Sequence, residues 1–314
     1  MKKITKIFTL ALSLFYLTSF ALPVYADDSS VSPELSPVSQ RLVLRKKETT
    51  ENTFKLSNKG KNETEFTVYA APLTVAGEDY QMNFSHENLR TQVSRWITFK
   101  QDDGNYSEKT TYKLKPGEDR EITYRVTVPE DIPDGGQYAL IFAEATSKSS
   151  APSQNGVRVI PRLSLVIFGR TDGGTRQEAE ITDVKLSSLL IGSDIESSAL
   201  IKNTGNTDLN TSQELKVSTI FGKILYAKTE NYPIYPDQPR RISMKANQKP
   251  SFGISLYKVE LNIKAHDKNY HRTAIVVSMS PIFAIISIIL LTILVAWLII
   301  FIKQRKERKA REMI

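Results

Sequence analysis

The chain has no cysteine in 314 residues, only three histidines and only two tryptophans. Without thiols, a disulfide scaffold, a thiol nucleophile and a thiolate metal site are all excluded. His266 and His271 sit in the short stretch HDKNYH, which reads as a solvated turn, and His86 lies far away in the first half. No HExxH, GxSxG, phosphate-loop or GxGxxG pattern occurs, so nothing suggests an assembled nucleophile, base or metal shell. Asp102-Asp103-Gly104-Asn105 and Thr171-Asp172-Gly173-Gly174 lack the spaced oxygens and closing glutamate of a calcium loop and are expected to be turns. The sequence therefore points away from an enzyme and calls for no cofactor and no metal.

Charge is missing from one long stretch. Pro281 to Ile302, PIFAIISIILLTILVAWLIIFI, contains no ionisable side chain. At 1.5 Å per residue such a helix reaches about 33 Å, against about 30 Å for the hydrocarbon core of a bilayer. A buried core helix of that length would carry a polar face, and this one has none. The tail 303–314 holds six basic and two acidic residues, the pattern of a cytoplasmic flank. At the other end, Lys2, Lys3 and Lys6 precede an apolar run from Ile7 to Leu22, and Val24-Tyr25-Ala26 supplies small residues before Asp27. Residues 1–26 are expected to be a signal peptide; Pro23 and the small-residue site argue against an uncleaved anchor. The expected topology is a single-pass type I protein of the cell membrane, with its ectodomain outside and its C-terminus inside.

That topology also explains the formal charge of +8. The signal segment carries three of the positive charges and the tail a net four, which leaves about +1 for the ectodomain. No basic stripe interleaved with aromatics runs through it, so a nucleic-acid partner is not expected. An exported chain free of cysteine fits a bacterial origin better than an animal one.

Residues 27–40, rich in Ser and Pro, read as a flexible leader. From Arg41 onward the apolar residues alternate in short runs about ten residues apart, with Asn, Gly and Pro at the turns and no helical crossover between them. The pattern predicts an all-β architecture of two immunoglobulin-like β-sandwich domains in tandem, followed by one C-terminal transmembrane α-helix. The expected divisions are a first sandwich over 41–170, a hinge over 171–175, a second sandwich over 176–279, the helix over 281–302 and the basic tail over 303–314. In the first sandwich Gln137 to Thr146 is the most apolar strand, and Ile160, Leu163, Leu165 and Ile167 are expected to face a core. The second contains an alternating strand that ends in Asn203-Thr204-Gly205-Asn206, a turn whose Asn and Gly accept left-handed backbone.

The run from Trp96 through KLKPGEDREITYRVTVPEDIPDGGQYALIFAEA resembles the bacterial surface family of WxL-interacting proteins. A Trp-hydrophobic strand, a KPGE turn, a VPxDxPxG corner and a buried Tyr/Ala-rich strand follow one another in both. The resemblance implies a peptidoglycan-binding N-terminal domain, and a second sandwich that meets another exported or host surface ahead of the membrane helix. Expected partners are thus cell-wall peptidoglycan and/or exported surface proteins, with the membrane engaged through Pro281 to Ile302. Loop aromatics that could stack on sugar are Tyr80, Phe84 and Tyr106, whereas Trp96 is expected in the core. A second function fits the same architecture: a membrane-tethered assembly chaperone for exported or pilus-like subunits, acting by strand addition at a sheet edge.

Overall fold

The computed structural model describes residues 32–146 and 160–312. The expected signal peptide lies outside the described residues.

The first sandwich contains β1 (Pro33–Ser36), β2 (Ser39–Leu44), β3 (Thr49–Asn58), β4 (Thr64–Pro72), β5 (Thr74–Ala76), β6 (Gln81–Asn83), β7 (Ile97–Lys100), β8 (Tyr106–Ser107), β9 (Lys109–Leu114), β10 (Asp119–Thr127), β11 (Gly136–Ala145) and β12 (Arg162–Thr171). One sheet has the order β1-β3-β10-β7-β8, and the facing sheet has β2-β12-β11-β4-β9. The opening strand is shared between them: it leaves the first sheet at Ser36 and resumes as β2, parallel to β12 in the second. Residues 33–40, expected to be a flexible leader, are therefore part of the sandwich. Leu35 and Leu44 bury their side chains in its core, which is what ties the segment down.

Alternation decides which side chains fill that core. Ile122, Tyr124 and Val126 point inward from β10, and Phe66 and Val68 do so from β4. Strand β11 departs from alternation, because almost all of it is buried. Ala139, Ile141 and Ala143 belong to the sandwich core, while Tyr138, Leu140 and Phe142 on the other face join a separate cluster shared with the second domain. Being covered on both faces gives it the continuous apolar composition seen in its sequence. In β12, Leu165 and Ile167 are buried and Leu163 packs beside them, but Ile160 precedes the strand and is 43% exposed, contrary to expectation.

The second sandwich contains β13 (Ala179–Leu186), β14 (Leu189–Ile191), β15 (Ile195–Asn203), β16 (Leu209–Thr219), β17 (Ile224–Ile234), β18 (Arg240–Ala246), β19 (Ile254–Ala265) and β20 (Lys268–Met279). Its sheets are β13-β15-β18 and β14-β20-β19-β16-β17. The opening strand is again split, with β14 running parallel to β20. Both domains are thus immunoglobulin-like sandwiches built to one plan. The boundary falls slightly later than expected, since β12 extends through Thr171 and the next strand begins at Ala179. Tyr235-Pro236 lies in the connection between β17 and β18.

Helix α1 (Pro281–Glu312) follows β20 after a single residue, Ser280, whose hydroxyl accepts a hydrogen bond from the Phe283 amide at 3.3 Å. That is an N-cap, with proline in the first helical position where its missing N–H costs nothing. The segment Pro281–Arg305 is long and apolar enough to cross a membrane.

Truncating a residue of the first core, Ile141→Ala, is expected to destabilise the protein by about 2–5 kcal/mol. Val43→Ala, at a side chain 57% exposed on β2, should change stability by no more than about 0.5 kcal/mol. Chemical denaturation followed by circular dichroism reads both.

Candidate functional site

The two sandwiches meet where two turns touch. Asp134-Gly135-Gly136 leads into β11, and Asn203-Thr204-Gly205-Asn206 closes β15. The Gly136 amide donates to the Asn206 carbonyl at 2.7 Å. Gly135 has φ +112°, and a Cβ there would lie 2.1 Å from that same carbonyl oxygen. Glycine is required twice over, once for the backbone angle and once for the close approach of the two domains. Asn206 also holds the interdomain segment, since its side chain accepts from the Arg176 amide at 2.6 Å and donates to the Gly174 carbonyl at 2.7 Å.

Around this contact lies an aromatic cluster centred on Tyr235, in the β17–β18 connection. Its ring meets Tyr138 edge-on at 4.7 Å and stacks on Tyr80 at 6.0 Å and on Phe168 at 6.1 Å. Tyr80 adds polar links, accepting from the Tyr235 amide at 3.1 Å and donating to the Gln238 carbonyl at 3.0 Å. Ring pairs of this kind contribute about 0.5–1.5 kcal/mol each beyond the area they bury. Burial pushes the Tyr80 phenol well above its ordinary value. Burial, reinforced by the Asp208 carboxylate, raises Tyr235 to about 12.

Ion pairs frame the aromatics. Asp208, whose side chain is 3% exposed, accepts from Arg41 at 2.8 Å, and Arg41 also lies 4.7 Å over the Phe168 ring. Arg241 bridges Glu78 at 2.7 Å and Asp183 at 2.8 Å. Arg90 donates to the Asn206 carbonyl at 2.9 Å and to Asp237 at 3.3 Å. The residues around Arg90 are drawn onto β11 by the Gln137 side chain, which donates to the Leu89 carbonyl at 2.7 Å. Beside them opens a cleft of about 320 Å³ with Leu73, Val75, Leu89, Pro133, Tyr138 and Tyr235 in its wall.

The three aromatics singled out as sugar-stacking candidates are not brought together. Tyr80 is buried in the interdomain cluster rather than offered at a loop. Phe84 follows β6 and packs edge-on against Phe142 at 5.4 Å, leaving it 36% exposed. Tyr106 stands on β8 in the opposite sheet, with the Arg125 guanidinium 3.8 Å over its ring and its hydroxyl on Glu51 at 2.7 Å. Trp96 packs against the first core from a half-buried position. No stacking shelf results from these four. His266 lies in the β19–β20 turn as expected, whereas His271 stands within β20 opposite Asn262; both are exposed.

Open sheet edges are the other available surface. One edge of the larger second-domain sheet is β17, eleven residues long and, among the described residues, paired only with β16. It contains an uncharged stretch, Ile224 to Ala227, before the Lys228–Glu230 ion pair.

No family model matches the chain, and no curated protein matches its sequence. Solved structures with a similar backbone include the Escherichia coli chaperone DraB, at 12% identity and a TM-score of 0.38, over 77% of this chain and 98% of that one. A chain of the CsuC–CsuE chaperone–tip adhesion subunit pre-assembly complex from Acinetobacter baumannii is 13% identical with a TM-score of 0.38, over 77% and 98%. The Pseudomonas aeruginosa CupB2 chaperone is 10% identical with a TM-score of 0.32, over 77% and 99%.

Two results are expected at the joint. Gly135→Ala should separate the domains and split unfolding into two transitions. Gly104→Ala, at φ +85° with open space around it, should cost only the backbone strain of about 1–2 kcal/mol and leave one transition. Differential scanning calorimetry distinguishes them. The second concerns pH. Tyr235 ionises near 10 when unfolded and near 12 when folded, so its contribution is complete below about pH 10 and declines as pH rises toward 12. Stability measured from pH 8 to 12 should fall over that window, and Tyr235→Phe should reduce the fall.

Proposed function

We propose that this chain is a non-enzymatic, membrane-anchored surface protein that holds another exported polypeptide by strand addition. The observation that carries the reading is β17, a long edge whose outer backbone groups have, among the described residues, no strand beside them. Such an edge offers a row of donors and acceptors to an extended segment, and the side-chain rows on either face supply selectivity. The interdomain joint supports the same reading. A receiving edge orders its partner better when the sheet behind it does not swing, and the Tyr235 cluster restrains the two sandwiches as a unit. The apolar helix, long enough to cross a membrane, supports a body held where an exported chain would emerge.

A photo-crosslinking residue in place of Leu225 or Thr229 should yield, in intact cells, a covalent adduct with an exported polypeptide, whereas one in place of Lys113 on β9 should not. Adducts of equal yield at both edges, or none at β17, would reject strand addition there.

The likeness of Trp96 to Ala145 to WxL-interacting proteins keeps a second reading, in which the first sandwich contacts peptidoglycan. In this fold the KPGE turn joins β9 to β10, and the VPEDIPDGG corner leads into β11. Those motif residues serve the sandwich and the joint, so wall binding must rest on other surface residues. Retention of the ectodomain on purified peptidoglycan above that of an unrelated sandwich supports wall binding, and equal retention eliminates it.

A further inference from the structure

The membrane end of the second sandwich carries more exposed apolar surface than a free-standing domain needs. Pairing places Ile191, Met279 and Ile254 side by side on one sheet face. Both isoleucines are exposed there, one residue before the helix cap. Two connections reach the same end. The β16–β17 turn carries Phe221, 92% exposed, beside Ile220 and Ile224. Continuing the β16–β19 register past Thr219 and Tyr257 brings Phe221 level with Ser255. The β18–β19 connection carries Phe252, 62% exposed.

The same end grips the helix. The Ser280 amide donates to the Gly253 carbonyl at 2.9 Å, and the Gly192 amide to the Met279 carbonyl at 3.0 Å. Gly192 leaves room for proline, since a Cβ there would lie 2.6 Å from the Pro281 ring. Phe252 meets Phe283 edge-on at 5.5 Å. Ser280 and Ala284 are buried by these contacts. The helix therefore leaves the sandwich from a fitted socket and not from a free tether.

We infer that this rim is a membrane-contacting surface, with Phe221, Phe252, Ile191 and Ile254 seated in the headgroup layer of a bilayer. The inference rests on the membrane-spanning reading of the helix. Height identifies the occupant. The 281–302 segment, about 33 Å long, uses up a hydrocarbon core of about 30 Å and leaves Ser280 at its boundary. The row of Ile191, Met279 and Ile254 then lies about 3 Å further out. Each headgroup layer is about 5–7 Å deep, so the row falls within it. Lys223, two residues from Phe221, places a cation where lipid phosphates lie. At that depth apolar rings and chains bury against the acyl boundary, while long basic side chains reach the phosphates. Ile275, four residues back along β20, stands about 13 Å above the row and outside the layer.

The chain is free of cysteine, so single nitroxide labels can be attached without removing native thiols. The full chain carrying Phe221→Cys, Ile254→Cys, Ile275→Cys or Ile289→Cys is reconstituted in vesicles of phosphatidylcholine with phosphatidylglycerol. Power-saturation measurements then compare accessibility to oxygen and to a water-soluble nickel chelate. Labels at positions 289, 221 and 254 are expected to favour oxygen, in decreasing degree, and the label at 275 to favour the chelate. If 289 favours oxygen while 221 and 254 behave like 275, the rim contact is wrong and the span stands. If 289 itself favours the chelate, the spanning reading fails and the rim contact with it. Shielding of 221 and 254 from both reagents would assign the rim to a protein partner or a second copy, and overturn the proposal.

Discussion

The arrangement of this protein depends on a backbone contact between two turns. The carbonyl of Asn206 reaches the amide of Gly136 at 2.7 Å, which is possible only because position 135 carries no side chain that could intervene. Once the turns are that close, the rings of Tyr138, Tyr80 and Phe168 are in reach of Tyr235, and Arg90 spans from one domain to a carbonyl of the other. The contact is small in itself, since one hydrogen bond contributes roughly 1 kcal/mol net. Its effect is multiplied by the apolar area it brings together. Sandwiches joined by a short segment would otherwise move relative to each other by default.

Much of this architecture was legible in the residues. Alternation gave the strands, proline and glycine gave the turns, and the uncharged run gave the helix. The sandwich assignment followed because no helical crossover separates the strands. What could not be read was any pairing between distant segments. The PDGG and NTGN sequences are turn formers by local chemistry, and nothing local distinguishes a glycine that permits a turn from one that admits another domain. Tyr235 illustrates the same limit. Tyr-Pro after an alternating run looks like the end of a strand, yet its ring is held by tertiary contacts that its neighbours do not encode. The leader reads as flexible because Leu35 is an isolated apolar residue in a polar stretch, too little to signal a strand until the sheet that receives it is in place.

The candidate site was the least legible part. Exposure was assumed for aromatics near polar loops, but Tyr80 lies in a short segment at φ +57° that folds back against the second domain. Tyr106, read as a loop aromatic, stands half-buried on β8 with the Arg125 guanidinium over its face. Charged side chains are mostly committed to one another, as in Arg241 with Glu78 and Asp183. The surface therefore offers backbone edges and apolar rims more readily than free charges, which suits contact with polypeptide and lipid better than with a small polar ligand.

The split opening strand of the second sandwich has a mechanical consequence. Strand β14 lies parallel to β20, and β20 leads into the apolar helix. Tension applied to the distal domain would enter near Ala179 and leave through Met279, drawing the two strands along their length in opposite directions. Their hydrogen bonds would then be strained together in shear instead of opening one after another like a zip. Were the chain held at its helix and pulled at the other end, the load would cross the β14–β20 pairing in shear.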